Sequence, residues 1–297
     1  MVYSETEFAP WDGRRVPVTL VGGYLGAGKT TIINELLART TQPIAVLVND
    51  VGEINIDAAL IARHSGDAIE LTDGCICCSL SEGIAEAFDG LRRREIPPEH
   101  VLVELSGVAD PHRVVPWALT AGFRLDSIVV VIDADQMLDR ESEEWSRDAV
   151  HHQIAAADVL LLNKTALAGD ELVERVRSRL DELAPATPIH DAGSIMSAAG
   201  FLGLGTRQPD GAVALPEQEL FDTHLVETVP IDGPLDAHEL DLLLDALPPN
   251  VLRAKAIIEA PDGARVLVQI VGKRRSVTAL PMAEDEPATD LVVIRGV

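Results

Sequence analysis

The segment from Gly23 to Thr30 reads GYLGAGKT, which satisfies the phosphate-binding pattern G-x-x-x-x-G-K-[ST] at each of its defined positions. The apolar run VTLVG precedes it and the helical sequence TIINELLAR follows it, so the segment joins a strand to a helix. Glycines in such a turn let backbone N–H groups surround a phosphate chain, and the start of the following helix adds positive potential. Lys29 is expected to neutralise the β- and γ-phosphates, and Thr30 to bind Mg²⁺. The sequence therefore predicts a nucleotide-binding protein of the P-loop NTPase type.

Five apolar runs rich in Val, Ile and Leu indicate buried parallel strands, over residues 16–21, 44–49, 101–105, 128–133 and 159–163. Helical stretches separate these runs, over residues 30–40, 81–94, 114–120, 151–156 and 170–183. Strands that alternate with helices predict an α/β fold in which helices cover both faces of a mostly parallel sheet. Ligands of such sheets bind at the carboxyl ends of the strands, and the motifs of this chain fall at those ends.

The composition of the sequence changes near residue 200, where the segment FLGLGTRQPDGAVALPEQE is rich in Gly and Pro and has no hydrophobic periodicity. The chain is therefore predicted to consist of a nucleotide-binding domain over 15–200, a linker over 201–219 and a small C-terminal α+β domain over 220–297. In the second domain the pattern predicts a helix over 236–247 and strands over 225–230, 252–259, 265–271 and 291–295. A hairpin turn is expected at Pro261, Asp262 and Gly263.

The formal net charge of −24, from 24 basic and 48 acidic residues, argues against partners that need a basic surface. Such a chain repels phosphate backbones and anionic lipids, so neither nucleic acid nor a membrane is expected as a partner. No apolar run approaches the roughly 18 residues that a membrane-spanning helix needs. The N-terminal sequence MVYSETEFAPWDGRR lacks the basic start and apolar centre of a secretory signal, which predicts a soluble, cytoplasmic protein.

A second acidic element lies in the run VLVELSG, where Glu104 ends a predicted buried strand and Gly107 follows shortly after. In P-loop enzymes the acid at such a position holds Mg²⁺ or orients the attacking water. Gly107 is expected to offer its backbone N–H to a γ-phosphate. Residues 106–111 are then predicted to form a switch segment that triphosphate orders and hydrolysis releases. An acid at a strand end is also common for structural reasons, and the phosphate loop upstream favours the functional interpretation.

All three cysteines of the chain, Cys75, Cys77 and Cys78, lie on one short loop with the sequence DGCICCS. An odd, clustered set is a poor disulfide framework and is typical of a metal or redox site. Thiolates near a helix N-terminus bind Zn²⁺ and similar metals. A closed zinc site needs four ligands, so Glu53, a histidine or water is expected to complete this one. A thiol redox switch and buried packing cysteines are the alternatives.

The segment NDVGEINID over residues 49–57 contains Glu53 and two aspartates in a polar loop after the second predicted strand. It is either a solvated loop or a first switch that approaches Mg²⁺ and the cysteine loop. The pattern alone does not decide between these two interpretations.

Together these motifs resemble the CobW-type GTPases, a family of P-loop proteins in which a C-x-C-C motif is associated with metal delivery. The matching segments are GGYLGAGKTT (22–31), VNDVGEINID (48–57), GCICCSL (74–80), VELSGVADP (103–111) and LLNK (161–164). VLRAKAIIE (251–259) and VLVQIVG (266–272) are similar to the small C-terminal domain of that family. The resemblance covers nearly the whole chain, from residue 15 to residue 295.

The resemblance implies GTP hydrolysis coupled to the delivery of Zn²⁺, Co²⁺ or Fe to a client metalloprotein or a cofactor-biosynthesis enzyme. The residues expected to act in hydrolysis are Lys29, Glu104 and Gly107. The residues expected to bind the nucleotide are Gly23, Gly26, Ala27, Gly28, Lys29, Thr30, Thr31, Asn163 and Lys164. Those expected to bind the transported metal are Cys75, Cys77, Cys78 and Glu53, and those expected to bind Mg²⁺ are Thr30 and Glu104.

Three features depart from the family pattern. The base-reading motif of the family is usually Asn-Lys-x-Asp, whereas this chain has NKTA over 163–166, with Ala166 in the last position. An Asp there would accept hydrogen bonds from two donors of guanine, and leaving these donors unmatched costs about 1–3 kcal/mol of discrimination. A weakened preference for GTP over ATP is therefore predicted, unless another acid such as Asp170 substitutes. The chain also lacks a His-rich run, and Ala256 replaces a common glycine of the C-terminal domain.

Two functions of other classes stay open at this point. One is a regulatory nucleotide-binding protein whose three cysteines sense metal or redox state. The other is a small-molecule kinase, although no lid or substrate-binding acid is evident. The sequence does not decide the oligomeric state, and a homodimer is one option.

Overall fold

The computed structural model describes residues 10–40, 43–48, 68–70, 80–194, 224–248, 250–271, 274–280 and 288–296. The strands of its N-terminal part are β1 (Val16–Gly22), β2 (Ile44–Val48), β3 (Ala68–Glu70), β4 (His100–Glu104), β5 (Phe123–Asp133), β6 (Val159–Asn163) and β7 (Ile189–Asp191). They form one seven-stranded parallel sheet in the order β3-β2-β4-β1-β5-β6-β7. This architecture confirms the predicted α/β fold class.

The carboxyl ends of the central strands meet at one edge of this sheet. β1 lies between β4 and β5, and Val21 of β1 pairs with Glu104 of β4. On the other side, Asp133 at the end of β5 pairs with Asn163 at the end of β6. Because the strands are parallel, the segments that follow β1, β4, β5 and β6 all leave the sheet at this edge, where ligands of α/β sheets bind.

Helices cover both faces of the parallel sheet. They are α1 (Lys29–Leu37), α2 (Leu80–Arg92), α3 (Val115–Ala118), α4 (Met137–Ser142), α5 (Glu144–Ala156), α6 (Thr165–Ala168) and α7 (Asp170–Leu183). Ile33 and Leu36 of α1 are buried against one face, whereas α2, α5 and α7 contribute Phe88, Ile154 and Leu180 to the cluster on the other. Burial on both faces explains why the strands read as continuous apolar runs. Among the described helices, none is long and apolar enough to cross a membrane.

The C-terminal part forms a second, antiparallel sheet with one helix on it. Its strands are β8 (His224–Val229), β9 (Val251–Glu259), β10 (Arg265–Val271), β11 (Arg274–Ala279) and β12 (Leu291–Gly296), in the order β11-β10-β9-β12-β8. Helix α8 (Ala237–Asp245) begins at a capping box made by Asp236 and Glu239. It packs Leu240 and Leu244 onto a core in which Ala256 is fully buried. The methyl group that replaces the family's common glycine is therefore part of this core.

The two sheets contact each other beside the phosphate loop. Leu252 and Ile294 of the second sheet belong to the buried cluster that α2, α5 and α7 also join. Gln136 Nε2 donates a hydrogen bond to the carbonyl oxygen of Val271 at 3.3 Å. The Val271 side chain, at the end of β10, fills the space that a Cβ on Gly26 would occupy. The second sheet therefore packs directly against the outer surface of the phosphate loop.

The elements that the sequence did not predict are short or polar. β7 has only three residues and β11 reads RRSVTA, so neither gives an apolar run. β5 begins at Phe123 rather than at residue 128, because Arg124, Asp126 and Ser127 interrupt its apolar pattern. Helix α5 extends back to Glu144, well before the predicted start at residue 151, through the polar sequence EWSRDAV. The predicted linker over 201–219 lies outside the described residues, and the domain boundaries stay predictions.

A polar cluster lies inside the sheet at the start of β4. Thr19 Oγ1 is 2.8 Å from His100 Nε2 and 3.4 Å from the Ser127 hydroxyl. His100 is only 4% exposed, and its burial lowers its pKa to about 4, with the charge of Arg124 acting in the same direction. The imidazole is therefore neutral in the folded protein at pH 7, and protonating it inside the sheet is unfavourable.

We expect the buried His100 to make the fold less stable in acid. The unfolded chain binds a proton on this residue near pH 6.5, whereas the folded chain binds it only near pH 4, so falling pH favours unfolding. Between pH 7 and pH 5 the free energy of unfolding should fall by about 2 kcal/mol from this residue. Urea unfolding across this range should show that His100→Asn lacks this part of the pH dependence. Equal pH dependence in both proteins would contradict the assignment.

Candidate functional site

The phosphate loop follows β1 directly and leads into α1. Gly23, Gly26 and Gly28 have φ angles of 135°, 76° and 99°, which side chains with a Cβ rarely adopt. Lys29, the first residue of α1, is 5% exposed, and its Nζ donates to the carbonyl oxygen of Gly23 at 2.8 Å. The ammonium group thus folds back over the loop. The backbone conformation of the loop therefore favours glycine at these three positions, and the same residues leave room for a phosphate to approach the backbone N–H groups.

Two side chains at the end of β6 hold further carbonyl groups of the loop. Asn163 Nδ2 donates to the Ala27 oxygen at 2.9 Å, and Lys164 Nζ donates to the Gly26 oxygen at 2.6 Å. The Lys164 ammonium also pairs with Asp133 at 2.7 Å. Lys164 has a φ of 59°, a strained conformation for a residue with a side chain and one that clusters at functional sites. Both residues brace the phosphate loop, and their contact with a base stays a prediction.

Thr30 and Glu104 are brought together by the pairing of β1 with β4. The Thr30 hydroxyl donates to Glu104 Oε1 at 2.7 Å, and Glu104 is only 3% exposed. A hydroxyl beside a carboxylate is the kind of hard oxygen donor set that Mg²⁺ prefers. Thr31, which was also predicted to bind nucleotide, is exposed on α1.

The segment after β4 runs against the phosphate loop. A Cβ on Gly107 would lie 2.5–2.8 Å from the side chain and backbone of Leu25, so only a glycine fits this approach. The Ala109 N–H donates to the Ser106 oxygen at 3.0 Å and closes a turn at this point. The predicted switch segment and the phosphate loop are thus in direct backbone contact.

Tyr24 anchors the loop to α4. Its ring is 8% exposed, and the guanidinium carbon of Arg140 lies 5.8 Å from the ring centroid. Burial raises the pKa of Tyr24 well above its usual value, although the charge of Arg140 opposes this effect, so the phenol stays neutral. Arg140 is itself held by Glu143 at 3.0 Å and by Gln136 at 3.1 Å. One side of the loop is therefore fixed by packing rather than by phosphate.

The predicted metal loop cannot be placed in the same way. Cys75, Cys77, Cys78 and Glu53 lie outside the described residues, as does the segment 49–57. Within the ranges that the structure describes, no group of three or more His, Cys, Asp or Glu side chains could hold a metal ion. The cysteine site therefore stays a prediction from the sequence.

Three contributors to the site were missed by the sequence analysis. Asp133, which holds Lys164, ends a predicted strand just as Glu104 does, and this shared position could have flagged it. Gln153 donates hydrogen bonds to the switch segment from the last turn of α5, where no local pattern marks it. Val271 reaches the loop from the second sheet, and only the packing of the two sheets reveals that contact.

Comparisons with known proteins match both parts of the chain. The family described as CobW/HypB/UreG, nucleotide-binding domain, matches residues 17–191, and the cobalamin synthesis protein cobW C-terminal domain matches residues 228–297. The zinc chaperone CobW of Sinorhizobium sp is 30% identical over 88% of this chain and 86% of the relative. The zinc chaperone YjiA of Escherichia coli K12 is 27% identical over 94% and 93%. The solved structure of Zn(II)-bound YjiA GTPase from E. coli has a TM-score of 0.47 at 22% identity, over 96% and 95% of the two chains.

We expect Gly107→Ala to destabilise the contact between the switch segment and the phosphate loop. The added methyl would overlap Leu25, and overpacking of this kind costs about 1–3 kcal/mol. Gly90→Ala is the matched control, because Gly90 is an exposed position of α2 and no neighbouring atom lies within 4 Å of its Cβ position. Denaturant unfolding should show a loss for Gly107→Ala and a small gain for Gly90→Ala. Similar unfolding midpoints for the Gly107 variant and the unmodified chain would refute the close contact.

Proposed function

Because the chain belongs to the CobW/HypB/UreG family of nucleotide-binding proteins, we propose that it is a GTP-hydrolysing metallochaperone that delivers zinc to a client metalloprotein. The observation that carries the proposal is the convergence of Lys29, Thr30, Glu104 and Gly107 at one edge of the parallel sheet. These residues supply the ammonium group, the oxygen donors and the close glycine that phosphoryl transfer requires. The names of the relatives, zinc chaperone CobW and zinc chaperone YjiA, support zinc as the cargo.

In the proposed reaction, water attacks the γ-phosphorus of GTP, the bond to the β–γ bridging oxygen breaks, and GDP and phosphate leave. Lys29 neutralises charge on the β- and γ-phosphates from within the loop. Thr30 and Glu104 would hold Mg²⁺, which would supply charge neutralisation at the β- and γ-phosphates when it is bound. Gly107 would offer its backbone N–H to the γ-phosphate, because its lack of a side chain lets it approach the loop.

The cargo site of the proposal is the cysteine loop. Cys75 and Cys78 have the C-x-x-C span that chelates one ion, and Cys77 or Glu53 would add a further ligand. The loop lies in sequence between the segments 49–57 and 104–111, both of which are proposed to respond to the γ-phosphate. Triphosphate would complete the metal site, and hydrolysis would loosen it and release the ion to the client. Cobalt and iron are the alternative cargoes that thiolate ligands also accept.

We expect the combined change of Cys75, Cys77 and Cys78 to alanine to abolish tight Zn²⁺ binding while leaving nucleotide binding intact. The thiolates are the proposed ligands, and they lie outside the phosphate loop. Zinc titration against a chelating dye, with GTP, with GDP and without nucleotide, measures both the affinity and its dependence on the γ-phosphate.

The control for this experiment is Lys29→Ala, which removes the phosphate-binding ammonium but leaves every cysteine in place. It should bind zinc with an affinity that no longer depends on nucleotide. Stoichiometric tight zinc binding by the triple variant would refute the cysteine site. Zinc binding that is identical with GTP, with GDP and without nucleotide would instead favour a metal or redox sensor in which hydrolysis is incidental.

We expect Ala166→Asp to increase the preference for GDP over ADP. The new carboxylate, on α6 just after Lys164, would accept hydrogen bonds from the two donors of guanine. Restoring such a matched pair is worth about 1–3 kcal/mol, or about 5- to 150-fold in relative affinity. Dissociation constants for GDP and ADP, measured for the variant and the unmodified chain, give the change directly.

Leu167→Asp is the matched control for base selection, because it adds the same charge at the next position, on a side chain that is 58% exposed. Its GDP to ADP ratio should stay close to that of the unmodified chain. A preference for guanine above about a hundredfold in the unmodified chain would show that another acid already reads the base.

A further inference from the structure

Gln153 connects helix α5 to the predicted switch segment. Its side chain is 2% exposed, and its Nε2 donates to the carbonyl oxygen of Gly107 at 3.1 Å and to that of Ala109 at 3.0 Å. Both donors of the amide are therefore used on one turn of the chain. The opposite orientation of the amide would place its oxygen against two carbonyl oxygens, so the hydrogen-bond pattern defines which atom is the nitrogen.

The chemistry of this position calls for a neutral side chain with two donors. A carboxylate would face two carbonyl oxygens without a proton to share, and a hydroxyl could donate to only one of them. An apolar side chain would leave both carbonyl groups without their partner in a buried place. Glutamine also has the length to reach from the helix axis to the turn. Of these side chains, only an amide satisfies both carbonyl groups. The residue type at this position is therefore determined by its hydrogen bonds and not by burial alone.

The turn that Gln153 holds is the one that touches the phosphate loop. Gly107 packs against the backbone of Leu25, and Leu25, Tyr24 and Gln153 line one cleft between the loop and helices α4 and α5. The turn is thus held between two supports, with the loop on one side and the amide on the other. Releasing the amide would remove one of these two supports and so loosen the direction in which the Gly107 N–H points.

We propose that Gln153 is a positioning residue for the γ-phosphate: it sets the orientation of the Gly107 peptide and so determines how well the site distinguishes triphosphate from diphosphate. The inference rests on the proposed function, because it gives Gly107 the role of contacting the γ-phosphate. GDP has no γ-phosphate and does not need the oriented peptide. Loss of the amide should therefore affect triphosphate binding and turnover selectively.

The test uses the full chain with Gln153→Met, which keeps the length of the side chain but removes both donors, and Gln153→Asn, which keeps the amide but shortens its reach. Affinity for a non-hydrolysable GTP analogue should weaken by about tenfold in both variants, as expected for two lost hydrogen bonds. Affinity for GDP should change by less than about threefold. The value of KM for GTP should rise with this loss of affinity, and kcat should fall as well, because the Gly107 peptide would also contact the γ-phosphate as it reacts.

Ile154→Val is the control for a merely structural effect, because Ile154 is the next residue of α5, is 1% exposed and belongs to the hydrophobic core, and the substitution changes no hydrogen-bonding group. This variant should retain the ratio of GTP-analogue to GDP affinity. Circular dichroism and unfolding curves identify variants that have lost the fold. If Gln153→Met does not fold, the comparison is made with Gln153→Asn alone.

Two results would overturn the inference while leaving the proposed function intact. One is an unchanged ratio of affinities in folded Gln153 variants, and the other is an equal change of the ratio in Ile154→Val. If the unmodified chain binds neither GTP nor GDP, the proposed function itself fails. The two failures are therefore distinguishable in one set of titrations.

Discussion

The site depends on how the carbonyl groups of the phosphate loop are satisfied. A loop that surrounds an anion must turn its carbonyl dipoles away from that anion, and each of them then needs another donor. Here Lys29, Asn163 and Lys164 supply those donors to three loop carbonyls. The donors come from α1 and from the end of β6, so the loop geometry requires the parallel sheet that brings these elements to one edge. The conformation of the phosphate loop thus depends on the strand order of the sheet.

Much of the N-terminal fold could be read from the sequence, because burial on both faces makes central strands apolar throughout. The sequence also predicted Lys29, Thr30, Glu104 and Gly107 as site residues from local patterns, the loop motif and the strand-end acid, and the structure brings them to one edge of the sheet. It could not identify partners that meet only through tertiary packing. The pairing of Asp133 with Lys164 joins neighbouring strands, and that between Gln153 and residues 107 and 109 crosses from a helix to a loop.

The polar interior of the protein divides into two kinds of interaction. At the carboxyl edge of the sheet, charged groups such as Lys164 and Asp133 are paired at short distance and hold the loop. Within the sheet, His100 is buried as a neutral group beside the Thr19 hydroxyl and contributes no charge at pH 7. The first kind orders the binding site, whereas the second limits the pH range over which the framework is stable. The two effects are physically separate, although both involve buried polar groups.

The contact between Val271 and Gly26 has a consequence for how the two parts of the chain can be studied. The second sheet covers the outer surface of the phosphate loop, and Gln136 binds the backbone of the same residue. An isolated N-terminal fragment would expose that surface to water and leave Gln136 without this acceptor. The nucleotide affinity measured for this fragment would then be that of a loop exposed to water, whereas in the whole chain the second sheet covers the same loop surface. Truncation at the interdomain region therefore changes the surroundings of the phosphate loop, and the nucleotide affinity of the whole chain depends on both parts together.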